Sequence, residues 1–405
     1  MNQKLAIHGG APVRDGLLPL IRVSVSEREW QQVRSVMNEG VFCSVFSQAT
    51  KVKALEAAFA AYASTKHAIS FSSGTTAQHA SLAVAGIGRG DEVIVPPLTF
   101  ISTAYTVLMQ GAEPVFADVD RDTFNLDPQQ VRQQITPRTK AVVPVHWFGQ
   151  PVDMDALTAL AEERDLTIIE DCAHACGSTW HGRKAGTFGA LACWSMQASK
   201  LITAAGEGGM LTTDDDRLAR KARTIRDHGK APAPPDDGRA YDVVTVGNNY
   251  RMTEMQAAFA LAQLERIDQL QAQRREHSQY LNAALGPMPG LRHPRQREHV
   301  DTSYTYFPVC FDEERFHADL AQIVEALEAE GIEAYPIGRD ELCHVHSLFV
   351  HHTGPGRVTY GLGAMPVAER ISRELLLLPL YPDLTRRDLD DIAAAVGKVV
   401  HAFAG

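Results

Sequence analysis

From residue 68 onward the chain alternates short apolar runs with longer stretches of helical periodicity, and this alternation restricts the fold more than any other feature. The runs fall at 68–71, 92–95, 113–119, 141–146, 166–170 and 191–195. Runs of this length suit buried strands, and the helical stretches between them supply the crossovers that parallel strands require. The expected fold class is therefore α/β, with a mainly parallel sheet covered by helices on both faces.

Two helices are expected before the first strand, at 26–38 and 51–64; the second sets Val52, Leu55, Ala58, Phe59 and Tyr62 on one face. Beyond Lys230, the segment Ala231-Pro-Ala-Pro-Pro-Asp-Asp-Gly238 reads as an exposed excursion, because its prolines forbid helix and central strand. One long helix is expected over 253–285, ended by Gly286-Pro-Met-Pro-Gly290. A strand at 304–311, a helix at 316–331 and a final helix at 385–403 then suggest a smaller α+β unit. With 405 residues the chain exceeds the size at which one core stops growing. Two domains follow as the expectation: a large one over 1–285, including an N-terminal arm, and a small one over 286–405.

The formal net charge of -10 argues against a sequence-independent nucleic-acid binder, which needs a basic surface. No apolar stretch approaches the roughly 20 residues needed to cross a bilayer, and the start Met1-Asn-Gln-Lys-Leu-Ala-Ile-His-Gly-Gly10 lacks an apolar signal core. The expectation is a soluble, cytoplasmic protein acting on small molecules. Cys43, Cys172, Cys176, Cys193, Cys310 and Cys343 form no pair of Cys-x-x-Cys knuckles and read as free thiols. His344, His346, His351 and His352 have no nearby Cys or Glu to complete a ligand set of known spacing, so no metal is expected.

The chemistry is concentrated in two residues. The apolar run Leu166-Thr-Ile-Ile-Glu-Asp171 ends in an acid, and Lys200 follows some thirty residues later, ahead of the turn Gly206-Glu-Gly-Gly209. In open α/β sheets ligands bind beyond the carboxyl ends of strands. A strand-end carboxylate with a later lysine matches the needs of pyridoxal phosphate: an amine to hold the aldehyde as a Schiff base, and a carboxylate to keep the ring nitrogen protonated. Ser73-Gly-Thr-Thr76 follows a strand and opens a helix, an arrangement whose free amides suit a phosphate. Serine and threonine also cap helices everywhere, and Asp171 could itself be a cap.

Across nearly its whole length the chain resembles the pyridoxal phosphate-dependent aminotransferases of the DegT/DnrJ/StrS family. These have the fold type I architecture, with a mainly parallel seven-stranded sheet and a smaller α+β domain. They aminate keto sugars and cyclitol ketones in natural-product, antibiotic and envelope pathways. The resemblance rests on Ser195-Met-Gln-Ala-Ser-Lys200, on Glu170-Asp-Cys-Ala-His-Ala-Cys-Gly177, on Ser73-Gly-Thr-Thr76, on Pro96-Pro-Leu-Thr-Phe100 and on Gly247-Asn-Asn-Tyr-Arg-Met252. It implies that Lys200 forms the internal aldimine and that Asp171 pairs with the pyridine nitrogen. His174 would contact the phenolic oxygen, Gly74, Thr75 and Ser195 the phosphate, and Phe100 one face of the ring. Asn249 would reach a neighbouring subunit's phosphate, which implies a homodimer with shared sites.

The function implied is transfer of an amino group from glutamine or glutamate to a ketone on a cyclitol, sugar or related carbocycle. Ser195-Met-Gln and the opening Gly9-Gly-Ala-Pro-Val-Arg14 lean toward relatives acting on cyclitols or on the precursor of aminobenzoates. Three alternatives stay open: a nucleotide-sugar aminotransferase, an aromatising lyase or dehydratase of the aminobenzoate-synthase type, and a non-catalytic binding protein. Two stretches depart from the family pattern. Leu201-Ile-Thr-Ala-Ala-Gly206 is one residue longer than usual, which suggests a bulged turn at Glu207 and leaves that residue without a role. The segment 335–349 matches only loosely, so the acceptor contacts are unassigned.

Overall fold

The computed structural model describes residues 4–235, 238–352 and 360–404. The first three residues of the apolar-poor start, and Asp236 and Asp237 of the proline-rich excursion, lie outside the described residues. Seven strands form the central sheet: β1 (His67–Phe71), β2 (Glu92–Val95), β3 (Glu113–Phe116), β4 (Thr139–Val142), β5 (Thr167–Asp171), β6 (Leu191–Ser195) and β7 (Gly209–Thr213). Their spatial order is β1-β7-β6-β5-β4-β2-β3. All pairings are parallel except those of β7, which runs antiparallel to both β1 and β6. The expected run at 141–146 stops early as a strand because Pro144 has no N–H for the ladder. The chain still follows β5, since the Pro144 carbonyl accepts the Asp171 N–H at 2.8 Å.

Helices α1 (Glu27–Glu39), α2 (Lys51–Ala63), α3 (Gly74–Val84) and α4 (Ser102–Met109) have different starts. At α1, the Ser26 and Glu29 side chains form a reciprocal capping box. No local side chain caps α2. Glu254, two hundred residues away, accepts the N–H groups of Thr50, Lys51 and Val52 at 2.8, 2.6 and 3.1 Å. The single helix expected over 253–285 is two, Glu254–Glu265 and Ile267–Leu285, broken at Arg266 with φ -109° and ψ 0°. At the break the Arg266 guanidinium reaches the buried Glu29 carboxylate at 2.8 Å. The excursion is anchored by a short hairpin, Lys230–Pro232 against Tyr241–Val243.

A second sheet of four antiparallel strands is ordered Leu291–Arg292, Phe307–Phe311, Leu375–Leu378, Tyr335–Pro336. The expected strand over 304–311 begins three residues late because Tyr304 takes a left-handed φ of 52°. The expected helix at 316–331 contracts to Leu320–Ala329, where Asp319 and Gln322 form a capping box. In the four-leucine strand, side chains alternate between two cores. Leu375 and Leu377 join the core of the large sheet, while Leu376 and Leu378 join a second core with Phe307, Ile392 and Val396. Among the described residues no helix is long and apolar enough to cross a membrane.

Candidate active site

Because β1, β2, β5 and β6 point the same way, their carboxyl ends share one edge of the sheet. Antiparallel β7 brings its first residue, Gly209, to that same edge. A cavity of ≈ 790 Å³ opens there, lined among others by Gly74, Thr75, Phe100, Asp171, His174, Ser195 and Lys200. Seven of the eight residues expected at the site therefore meet in one place.

Asp171 is buried at the end of β5. Its Oδ2 accepts from the Thr103 hydroxyl at 3.0 Å and from Gln78 Nε2 at 3.2 Å, and its Oδ1 accepts the Ala173 N–H at 3.1 Å. Burial pushes its carboxyl above the usual range, opposed by those hydrogen bonds and by the charge of Lys200. Lys200 hangs between β6 and β7 with Nζ 2.7 Å from His174 Nε2. The direction of that bond follows from the other side of the ring. Nδ1 accepts the Phe148 N–H at 3.3 Å, so in a neutral imidazole the proton sits on Nε2 and the lysine must accept it. Only a deprotonated amine can accept, so this contact describes the form Lys200 takes above its pKa. Burial brings the Lys200 pKa down to about 8, against the pull of Asp171, Glu341 and Glu207, and holds His174 well below the usual histidine range. The amine is thus prepared as a nucleophile.

The first turn of α3 forms the third part of the site. Ser73 caps it, its side chain accepting the Thr76 N–H at 3.1 Å, and the N–H groups of Gly74 and Thr75 have no partner within the helix. The approach to β6 is close: a Cβ on Gly74 would stand 2.9 Å from Ser195 Cβ, and one on Gly209 would stand 2.2 Å from the Ser73 carbonyl oxygen. These glycines leave backbone amides and the Ser195 hydroxyl around a space open to an anion. A phosphate-bearing pyridine aldehyde fits this donor set, with amines and carboxylate at one end and the helix terminus at the other.

Phe100 stands at the cavity rim, 56% exposed. Asn249 is the exception. It is exposed, lies outside the cavity lining, and pairs through its backbone with Asp227. Glu207 does line the cavity, and its turn takes two consecutive positive-φ residues, Ala205 at 57° and Gly206 at 143°. The histidines near 344 are held by protein partners: His344 by Glu369 at 3.0 Å, His346 by the Asp340 carbonyl at 3.0 Å and His352 by Glu113 at 2.8 Å.

Several lining residues went unforeseen. Gln78 and Thr103 follow strands on early helical turns, where a sheet-edge argument could have found them. Tyr306, whose hydroxyl lies 2.8 Å from Ser199 Oγ and whose ring packs edge-on to His174, comes from the second sheet. Tyr335 lies in that sheet's edge strand, and Glu341 follows it. No local pattern marks these three.

A prepared amine, a buried carboxylate and an anion-ready helix end at one strand edge suit pyridoxal phosphate, and the seven-stranded sheet behind them is that of a fold type I pyridoxal phosphate-dependent aminotransferase. Within that class the chain belongs to the DegT/DnrJ/EryC1/StrS aminotransferase family, whose model matches residues 23–397. It is 37% identical to the spore coat polysaccharide biosynthesis protein SpsC of Bacillus subtilis, over 96% of this chain and 98% of SpsC. It is 41% identical to GDP-perosamine synthase of Caulobacter vibrioides, over 85% of this chain and 89% of that protein. The solved structure of the aminotransferase from Psychrobacter cryohalolentis superposes with a TM-score of 0.86 at 31% identity, covering 94% of this chain and 98% of that one.

Proposed function

We propose that the chain moves an amino group from glutamate or glutamine to a ketone on a nucleotide-linked sugar. The observation that carries this reading is the contact of Lys200 Nζ with a neutral His174 at the edge where Asp171 and the first turn of α3 converge. In this reading Lys200 would hold the coenzyme through Nζ, and Asp171 would keep the proton on the ring nitrogen. Gly74, Thr75 and Ser195 hold the phosphate, Phe100 covers one face of the ring and His174 serves the phenolic oxygen. When bound, pyridoxal phosphate supplies the electron sink that stabilises negative charge at the carbon losing its proton. The Lys200 amine would stand ready to move that proton.

The nucleotide-sugar acceptor is supported by the likeness to GDP-perosamine synthase. A free keto-cyclitol is the second reading, supported by Ser195-Met-Gln and Gly9–Arg14 alone. A homodimer completes the proposal: Asn249 lies off its own cavity, and Trp30, Met37, Phe42, Val45 and Phe46 expose apolar surface on α1 and the loop after it.

Absorbance spectroscopy tests the reading. Protein loaded with pyridoxal phosphate should show a band that borohydride abolishes and that L-glutamate or L-glutamine bleaches. Addition of a GDP-linked keto sugar, or in parallel of a keto-inositol, should restore the band and yield the aminated ring. Dehydrated product without consumption of donor would establish a lyase instead, and a colourless protein would leave only a binding role.

A further inference from the structure

The cavity wall that faces Lys200 carries a carboxylate that this chemistry leaves unused. Glu341 follows the edge strand Tyr335–Pro336, and its backbone is fastened to the loop that delivers Phe100. The Glu341 carbonyl accepts the Thr99 N–H at 3.2 Å, Leu342 pairs with Leu98, and the Cys343 N–H reaches the Pro97 carbonyl at 2.8 Å. The position of the side chain is therefore set by two segments that are 240 residues apart in sequence, roughly, and rigidly paired. Among the described residues its carboxylate makes no hydrogen bond or ion pair with the protein, yet it lines the cavity. Burial raises its pKa to about 7, with the charge of Lys200 pulling the other way. A half-buried carboxyl without a protein partner weakens the fold, and its place in a cavity marks it as a group that meets a ligand.

The chemistry of the cavity narrows that ligand. Among the described residues its charged lining consists of Lys200, Asp171, Glu207 and Glu341, with no arginine. An anionic substituent would find repulsion at Glu341. A carboxylate only accepts hydrogen bonds, and its two oxygens can take one donor each from adjacent hydroxyls. Tyr105, Tyr306 and Tyr335 also line the cavity and add apolar surface for the C–H faces of a saturated ring.

We propose that Glu341 is a specificity-determining residue that accepts hydrogen bonds from neighbouring ring hydroxyls of the keto acceptor and so selects a polyhydroxylated ring. The assignment rests on the aminotransferase reading above and adds the group that reads the acceptor. It predicts a split between the two halves of the reaction, since the amino donor brings no adjacent hydroxyls.

The test uses full-length protein loaded with pyridoxal phosphate, as wild type, Glu341→Gln and Glu341→Ala. The probes are L-glutamate, a GDP-linked 4-keto-6-deoxyhexose and a keto-inositol, each ketone paired with an analogue lacking the hydroxyl beside its carbonyl. Loss of charge-assisted hydrogen bonds should raise the acceptor KM about tenfold in Glu341→Gln and about thirtyfold or more in Glu341→Ala, with kcat altered by less than about threefold. Titration calorimetry should show the same order for acceptor binding. Wild type should penalise the deoxy analogue about tenfold and Glu341→Ala less than about twofold, because the two changes remove one interaction. A donor half-reaction within about twofold of wild type, followed by coenzyme absorbance, would show that the variants are folded and loaded. Unchanged acceptor KM, an undiminished deoxy penalty in Glu341→Ala, a donor half-reaction that falls in step with the acceptor, or rejection of both hydroxylated ketones by wild type would each overturn the assignment. Failure of wild type to take nitrogen from glutamate would instead overturn the aminotransferase reading on which it stands.

Discussion

The cavity has two walls of different origin. One is built by the ends of β1, β2, β5 and β6, and each of its key residues sits within a few positions of a strand end: Gly74, Phe100, Asp171 and Ser195. The other is built by Tyr306, Tyr335 and Glu341, on and around a different sheet. The first wall follows from one geometric rule, since parallel strands deliver their carboxyl ends to one edge whatever their side chains. The second depends on how the small sheet docks. The difference teaches that coenzyme chemistry can be held by local sequence, while acceptor recognition is assembled from remote segments.

Perturbing the first wall should give the largest effects. Lys200→Ala should lower turnover by at least about a thousandfold and remove the borohydride-sensitive band, with the far-UV circular dichroism of wild type retained. If turnover survives, the assignment of this wall to the coenzyme is wrong.

A pH experiment on protein freed of coenzyme comes next. Lys200 titrates at about 8 in the fold and near 10.5 when unfolded, so between these values the unfolded chain holds a proton that the folded chain lacks. Stability should therefore rise with pH across that window, by at most about 1.4 kcal/mol per unit, and Lys200→Met should flatten the slope in urea titrations. A slope that falls with pH, or one unaltered by the substitution, would contradict a buried Lys200 amine with a lowered pKa.

Asp171→Asn should slow both half-reactions about a hundredfold, because an amide cannot hold the ring-nitrogen proton. Thr103→Val should cost less, about threefold to tenfold, by removing one of the hydrogen bonds that orient Asp171. Equal losses from the two substitutions would show that orientation, not charge, is what Asp171 provides. The smallest effect on catalysis is expected at Glu254, remote from both walls. Glu254→Ala should lower stability by about 1–3 kcal/mol in chemical denaturation through the uncapped start of α2, and leave both half-reactions unaltered.

Legibility in sequence follows the same division. The strands at 92–95 and 191–195 were readable to the residue because each is an apolar run bounded by turn residues. β7 was not read as a strand, since Gly209–Thr213 resembles a loop until its neighbours pair with it on both sides. The strand Leu375–Leu378 is a plain apolar run that periodicity alone cannot assign, and both of its faces are buried. The break at Arg266 has no local signal, because Arg is a good helix former.

By itself the sequence determined the alternation that makes the sheet, the Asp171 and Lys200 pair, and the glycines that let α3 approach β6. Each of these is local: a strand end, a turn, or a side chain too small to be anything else. The tertiary structure alone decided that His174 keeps its proton on Nε2, facing the Lys200 amine, since the Phe148 N–H that fixes the tautomer lies 26 residues away. It alone decided that Glu341 faces the same amine. Hydrogen-bond direction and burial are properties of neighbours in space, and chain order does not encode them position by position.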